Sequence, residues 1–331
     1  MSANVFDILS FECLLMFLRR RPLMKRTAQP KVSSAGEEAV QRFQKVLTEH
    51  EDLSAPTIRN YLSDLRQFIA WWETMTNAGR EERVSFHPSA VATPALTQYR
   101  EELQHHLQLQ PATVNRHLIS LKRYFSWASE NEWIPRNPAK VVKLIPQKST
   151  PPRWITDQEE QALVAAVTIH GSLRDRTILT LLLHTGLRAR ELCSLTPEAV
   201  TVGKRSGLIR VTGKRRKYRE IPLNATARES LKEYLRIVPS DTPVLFPSAK
   251  TGRAMTERAL GYLVRKYAGF ANVQDVSPHD LRHRFGYRMA AKVPIHRLAQ
   301  IMGHDSLDTT MIYVEATRSD LQQDVETIAW T

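Results

Sequence analysis

Between Lys143 and Arg153 the chain carries Pro146, Lys148, Ser149, Thr150, Pro151 and Pro152, and no apolar period runs through them. Proline locks φ and offers no amide donor, so a run of this kind neither continues a helix nor joins a sheet interior. A chain broken in this way near its middle has to build a core on each side of the break. At 331 residues both sides are long enough to do so. The expected organisation is an extension over 1–35, a helical domain over 36–142, a linker over 143–153 and a second domain over 154–331.

The first domain reads as about four helices. Ser54-Ala55-Pro56 has a capping residue followed by proline in the first turn. Ile58, Tyr61, Leu62, Leu65, Phe68, Ile69 and Trp72 then recur at helical spacing. Thr93-Pro94 opens another helix, expected to run through Tyr99, Leu103 and Leu107. Pro111-Ala112-Thr113 opens a third, with Val114, Leu118, Leu121, Phe125 and Ala128 as its stripe. Arg59, Arg66, Arg116, Lys122 and Arg123 are read on outer faces, where cations are candidates for contacts with phosphates.

In the second domain Thr156-x-x-Glu159 reads as a capping box. Ile178 to Leu183 is apolar enough to demand a buried helix, which Gly186 can end in a left-handed conformation. Arg188 then falls at a sharp junction before a second helix from Ala189 to Leu195. Leu208–Thr212 and Lys217–Leu223 read as two strands joined by the turn Gly213-Lys214-Arg215-Arg216-Lys217. Ser277-Pro278 opens a helix bearing His279 and Arg282 one turn apart, on a shared face. His283 and Arg284 are read as pointing elsewhere. Pro294 to Met302 forms a further helix that Gly303-His304 breaks, and a short helix carries Tyr313. The fold class is therefore mainly α with a small β-hairpin: a helical domain plus a mixed α/β domain.

Lys and Arg number 47 against 34 Asp and Glu, a formal net charge of +13. That favours a polyanionic partner, of which nucleic acid is the commonest. Cys13 and Cys193 form no C-x-x-C pair, and the eleven histidines include no H-E-x-x-H. Neither a disulfide framework nor a zinc site is expected, and a reducing cytoplasm suits the chain. Ile8 to Leu18 is mostly apolar, but it contains Glu12 and is too short to span a bilayer. Arg19-Arg20-Arg21 follow it, where a secretory signal has its charge in front. It reads as part of the extension, and a start at Met24 is an equally simple reading.

The spaced parts Thr185-Gly186-Leu187-Arg188, Gly213-Lys214, His279-x-x-Arg282, Gly303-His304 and Thr309-Thr310-x-x-Tyr313 stand in a fixed order, with Tyr313 nine residues after His304. Together they resemble the tyrosine recombinases, or phage integrase family, over roughly the last half of the chain. The resemblance implies Tyr313 as the nucleophile that takes a DNA 3′ phosphate, with Arg188 and Arg282 on the non-bridging oxygens. It implies His304 on a phosphate oxygen, His279 as acceptor of the tyrosine proton and Lys214 as donor to the departing 5′ oxygen. Glu191 matches a supporting acidic position, expected to orient His279 or Arg188. Two residues depart from the pattern: Arg215 stands where a small residue usually follows the lysine, and Arg190 where a smaller side chain is common. Arg215, Arg216 and Lys217 are further candidates for DNA contact.

The resemblance also makes the first domain a SAM-like core-binding domain and the partner a duplex with an inverted-repeat core site. The tail through Leu321, Val325, Ile328 and Trp330 is expected to link four protomers on two sites, and accessory proteins are compatible with this. No cofactor, metal, ATP or membrane is called for, and the setting is cytoplasmic, at the nucleoid. A type IB topoisomerase-like enzyme and a non-catalytic DNA binder on the same fold are the rival readings. A ribosomal RNA-binding factor accounts for the charge alone.

Overall fold

The structure is a computed structural model that describes residues 29–49, 53–147, 153–212, 218–239, 241–304 and 306–317, with 314–317 in backbone only. The expectations for the extension before residue 29, for Lys214 to Lys217 and for the tail beyond 317 lie outside the described residues. Contacts divide the chain into two units, Met1–Lys148 and Ser149–Thr331. None of the described helices is long and apolar enough to cross a membrane.

The first unit contains α1 (Ser34–Glu49), α2 (Ala55–Asn77), α3 (Thr93–Glu101) and α4 (Pro111–Glu130). Ser54 caps α2 by accepting from the Thr57 amide. The inward stripe Leu65, Phe68, Ile69 and Trp72 packs with Val40, Phe43 and Leu47 of α1 and Val114, Leu118, Leu121 and Phe125 of α4. Phe68 sits at the centre, edge-on to Phe86, Tyr99 and Phe125 at 5.1 to 6.5 Å. The helix opened by Thr93 does not continue regularly to Leu107. It widens into a π-turn over Glu102–His106, Gln108 takes a left-handed φ of 48°, and Leu107 is left exposed. With Pro111 starting α4 so soon, the chain has to reverse there, and widening the last turn does it.

Of the five cations read on outer faces, Arg59 is exposed. Arg66 instead forms an ion pair with Glu37 of α1, its Nη2 donating at 2.6 Å. Lys122 donates to the carbonyls of Ala139 and Lys140 at 2.9 and 3.1 Å. Arg123 lies over the Tyr61 ring at 5.7 Å.

Arg116 uses Nη1 to bridge both carboxylate oxygens of Asp64, at 2.5 and 2.7 Å. Asp64 is wholly buried on α2, on the face that carries Tyr61 and Phe68. It also accepts from the Ser120 hydroxyl at 2.7 Å, and His117 Nε2 lies 3.4 Å away. A carboxylate without water survives only when paired and hydrogen-bonded. The cluster therefore locks α2 to α4. Arg116→Ala removes the guanidinium paired with the buried Asp64 carboxylate and is expected to lower the unit's stability by about 3–5 kcal/mol, read from denaturant unfolding. A loss below 1 kcal/mol contradicts this account of Asp64.

The second unit contains α5 (Asp157–His170), α6 (Leu173–Thr185), α7 (Ala189–Cys193), β1 (Val200–Val202), β2 (Gly207–Thr212) and β3 (Tyr218–Pro222). Helices α8 (Ala225–Leu235), α9 (Glu257–Phe270), α10 (Pro278–Ala290), α11 (Ile295–Met302) and α12 (Asp308–Thr317) follow. The capping box of Thr156 and Glu159 is formed, and α6 buries Ile178, Leu179, Leu181, Leu182 and Leu183. The sheet is antiparallel in the order β1-β2-β3, with Ile209 opposite Ile221 and Val211 opposite Arg219. Strand β1 was not expected: its three residues are too few for an alternation to show.

Candidate active site

Four pieces of chain, α10 among them, build the site. The first is the junction of α6 and α7. Gly186 adopts φ 62° and ψ 24°, and a Cβ there would lie 2.5 Å from the Phe285 ring. Glycine is required both for the left-handed turn and for that approach. The turn places Arg188 at the N-cap of α7. Its amide donates to Glu191 Oε2 at 2.8 Å and its Nη1 to Glu191 Oε1 at 3.0 Å, while Nη2 reaches the Gly303 carbonyl. Arg188 keeps 42% of its side chain exposed. Arg190, the larger residue at a position where small ones are common, is exposed and disturbs no packing.

The second piece is β3. Arg219 grips Glu191 with both terminal nitrogens, at 2.6 and 2.8 Å, and donates from Nε to the Ile301 carbonyl at 3.1 Å. Burial opposes ionisation of Glu191, but the bonds from Arg219 and Arg188 outweigh it and hold the carboxyl below its usual range. Of the two partners expected for Glu191, the structure shows Arg188 and no bond to His279 among the described residues. The sequence reading missed Arg219. The available signal was the strand's period of two, which turns Arg219 inward along with Ile221.

The third piece is α10 itself, capped by Ser277 and Asp280 with Pro278 in the first turn. Arg282 is 3% exposed. It donates to the carbonyls of Gly186 and Met302, the latter at 2.8 Å, and to His304 Nε2 at 3.0 Å. Both carbonyls terminate helices, where the backbone dipole is negative and favours a cation. Burial, and then Arg188, lower the guanidinium to about 10, which leaves it charged at neutral pH.

The fourth piece runs from α11 into α12. Gly303 ends α11 at φ 64° and ψ 50°. His304 follows, between Arg282 and the Thr310 hydroxyl, which lies 2.8 Å from Nδ1. A guanidinium only donates, so Nε2 of His304 is the accepting nitrogen and Nδ1 carries the proton. Burial first, and then Arg282, push this imidazole down to about 4, so it is neutral at pH 7. Tyr313 is 1% exposed, its ring near-parallel to that of His304 at 6.3 Å. Burial raises its phenol to about 12 against the lowering field of Arg282.

Arg188, Glu191, His279, Arg282, His304 and Tyr313 are thus joined in one set of contacts, and Lys214 lies outside the described residues. His279 keeps an exposed edge in the first turn of α10 while its ring packs 4.2 Å from that of His283, and this partial burial, then Arg282, lowers its pKa. One reading needs correction. His283 does not point away from this cluster: its Nδ1 lies 2.9 Å from the Tyr313 hydroxyl. A residue four positions after His279 shares its face as fully as Arg282, three positions on. Arg284 does point elsewhere, pairing with Glu160 and Asp157 of α5.

The Tyr313 ring also lies flat on Gly286, where a Cβ would come within 2.6 to 2.9 Å of three ring atoms. Alanine in place of a helical glycine ordinarily stabilises. Here Gly286→Ala is expected to cost about 1–3 kcal/mol through overpacking, measured by denaturant unfolding, and a gain in stability contradicts the close approach.

Residues 153–319 match the phage integrase family, and residues 40–134 match the phage integrase N-terminal SAM-like domain. The chain is 30% identical to tyrosine recombinase XerD of Ralstonia nicotianae over 296 residues, covering 86% of this chain and 92% of that protein. It is 31% identical to XerD of Pseudomonas aeruginosa, over 86% of this chain and 94% of that one. In fold it is similar to the XerH site-specific recombinase bound to a palindromic difH substrate, with a TM-score of 0.68 at 20% identity, covering 97% and 93% of the two chains. The Tn1549 transposon integrase in complex with a circular intermediate DNA gives 0.66 at 18% identity, over 88% and 99%. With both halves matched in order and the relatives covered almost end to end, the chain belongs to the phage integrase family, as a tyrosine site-specific recombinase of the Xer type.

Proposed function

We propose that the chain cleaves and rejoins duplex DNA through a covalent 3′-phosphotyrosyl bond at Tyr313, without metal or ATP, as a tetramer on two inverted-repeat sites. The observation that carries the chemistry is the pair of guanidiniums, Arg188 and Arg282, set beside His304 and Tyr313. A phosphodiester repels nucleophiles because it is negative. Two permanent forks on its non-bridging oxygens remove that obstacle and stabilise the charge of the transition state. Their present acceptors are main-chain carbonyls, the Glu191 carboxylate and His304 Nε2, and a phosphate oxygen can replace the carbonyls. His304 has its Nδ1 proton held by Thr310, and its Nε2 faces the arginine that would carry the phosphate.

In the reaction the Tyr313 oxygen bonds to phosphorus, the phenolic proton leaves and the bond to the 5′ oxygen breaks. His279 takes the phenolic proton in the reading that the resemblance implies, and Lys214 supplies one to the 5′ oxygen. The phosphotyrosyl bond retains the free energy of the broken phosphodiester, so a 5′ hydroxyl of another strand can reverse the step without ATP. Glu191 fixes Arg188 and Arg219 and does not react. Arg59 and the basic turn Lys214 to Lys217 contact phosphates, and in the same reading so do Arg66, Arg116, Lys122 and Arg123, with Arg116 keeping its pair with Asp64. The tail after residue 317 joins neighbouring protomers. The DNA-bound XerH and Tn1549 integrase structures support a duplex partner.

The test is covalent trapping. The protein is incubated in EDTA with nicked fragments of its own genomic neighbourhood, denatured, and the attached DNA sequenced. Adducts on 3′ phosphates gathered at one inverted repeat are the expected result. Scattered adducts point to a topoisomerase-like enzyme, and tight binding without adducts overturns the reading.

A further inference from the structure

The Tyr313 hydroxyl and His283 Nδ1 are 2.9 Å apart, and both residues are buried. Three consecutive steps along one face of α10 build the seat around this tyrosine. His283 meets the hydroxyl, Gly286 leaves room for the ring, and Tyr287 packs edge-on to it at 5.1 Å and 90°. His283 follows directly on Arg282, which bonds His304, so the hydroxyl's partner is covalently next to the phosphate-binding arginine. The ring of His283 is itself backed by that of His279, nearly perpendicular to it at 4.2 Å.

We propose that His283 is a positioning residue for DNA cleavage, whose Nδ1 orients the Tyr313 hydroxyl beside the Arg282–His304 pair. This rests on the reading of Tyr313 as the nucleophile. Orientation is favoured over proton abstraction. Burial and then His279 push His283 down to about 4, whereas burial pushes Tyr313 up to about 12. Both directions oppose transfer between them, so the hydrogen bond sets a direction and leaves the proton on oxygen. A tyrosine side chain turns freely about its first two torsions. A hydroxyl fixed at one end and a ring confined between Gly286 and Tyr287 remove that freedom before the phosphate arrives.

The experiment uses the nicked duplex recovered by trapping and measures two quantities for each variant: DNA affinity, and the single-turnover rate of adduct formation at saturating DNA. His283→Asn keeps a polar atom near the position of Nδ1. His283→Gln carries its amide further out, near the position of Nε2. His283→Ala has neither. Ala and Gln are expected to form the adduct about 10²-fold more slowly, the scale of a small misplacement of a reacting group, with affinity within twofold of the native chain. Asn is expected to recover to within about tenfold of the native rate.

A native rate in Ala overturns the proposal. So do equal rates in Asn and Gln, because a side chain that merely fills space does not distinguish the two positions. Native affinity in the Asn and Gln variants shows that they are folded, whatever becomes of Ala. If the native chain itself forms no adduct, or forms one that survives in Tyr313→Phe, the nucleophile reading fails, and that result appears without any His283 variant.

Discussion

Tyr313→Phe is expected to bind its DNA as tightly as the native chain and to form almost no covalent adduct. The expected loss is about 10⁴- to 10⁶-fold in strand cleavage, the range seen when an enzyme loses its nucleophile. The substitution removes one oxygen and keeps the ring. The ring's contacts with Gly286, Tyr287 and His304 are therefore retained, and the hydrogen bond to His283 is lost. One hydrogen bond contributes about 1 kcal/mol to folding, so the variant stays folded and comparison at equal occupancy of DNA is fair. Gel-shift affinity together with denaturing analysis of the adduct measures both sides. Residual cleavage within tenfold of native removes Tyr313 from the reaction.

Arg282→Lys is expected to lower cleavage by about 10³- to 10⁵-fold, the contribution of a comparable guanidinium to phosphoryl transfer. Charge is conserved in this variant; geometry is not. Arg282 spans from the Gly186 carbonyl at the end of α6 to the Met302 carbonyl at the end of α11, and meets His304 with the same nitrogen. A single ammonium cannot reach three such acceptors and also present two parallel donors to a phosphate. A guanidinium that is 3% exposed also helps hold α10 against both helix ends, so some stability is lost with it. Thermal unfolding and cleavage at a temperature where both proteins are folded separate the two effects. If Lys cleaves at the native rate, a simple positive charge is enough and the bidentate account fails.

Both predictions concern residues that were legible in the sequence, and they were legible for a local reason. Ser277-Pro278 sets the start of α10 and therefore the face shared by His279 and Arg282. Gly186 and Gly303 mark the two left-handed stops that place Arg188 and His304 just beyond helix ends. The capping box at Thr156 and the strand pair around residues 213–217 depend in the same way on residues within a few positions of one another.

Other parts of the site were not legible, because their partners are far away in the chain. Arg219 finds Glu191 across 28 residues, and the Tyr313 hydroxyl finds His283 across 30. Asp64 finds Arg116 across 52. No spacing over one or two turns marks any of these pairs, so the sequence offers no local pattern by which to join them. Arg66, read on an outer face, is satisfied by Glu37 for the same reason.

The sequence by itself determined that two cores form, where the helices capped by Ser54, Thr156 and Ser277 begin, and which arginines, histidines and tyrosine are candidates for the reaction. Caps, left-handed glycines and apolar periods act over one or two turns of chain, and local physics is enough to read them. Only the tertiary structure decided that Glu191 is clamped by Arg219, that His283 rather than His279 bonds the Tyr313 hydroxyl, and that Tyr313 lies buried on Gly286. Those outcomes depend on which polar groups lose water when distant elements pack, and a group that loses water takes whatever partner the packing brings within reach.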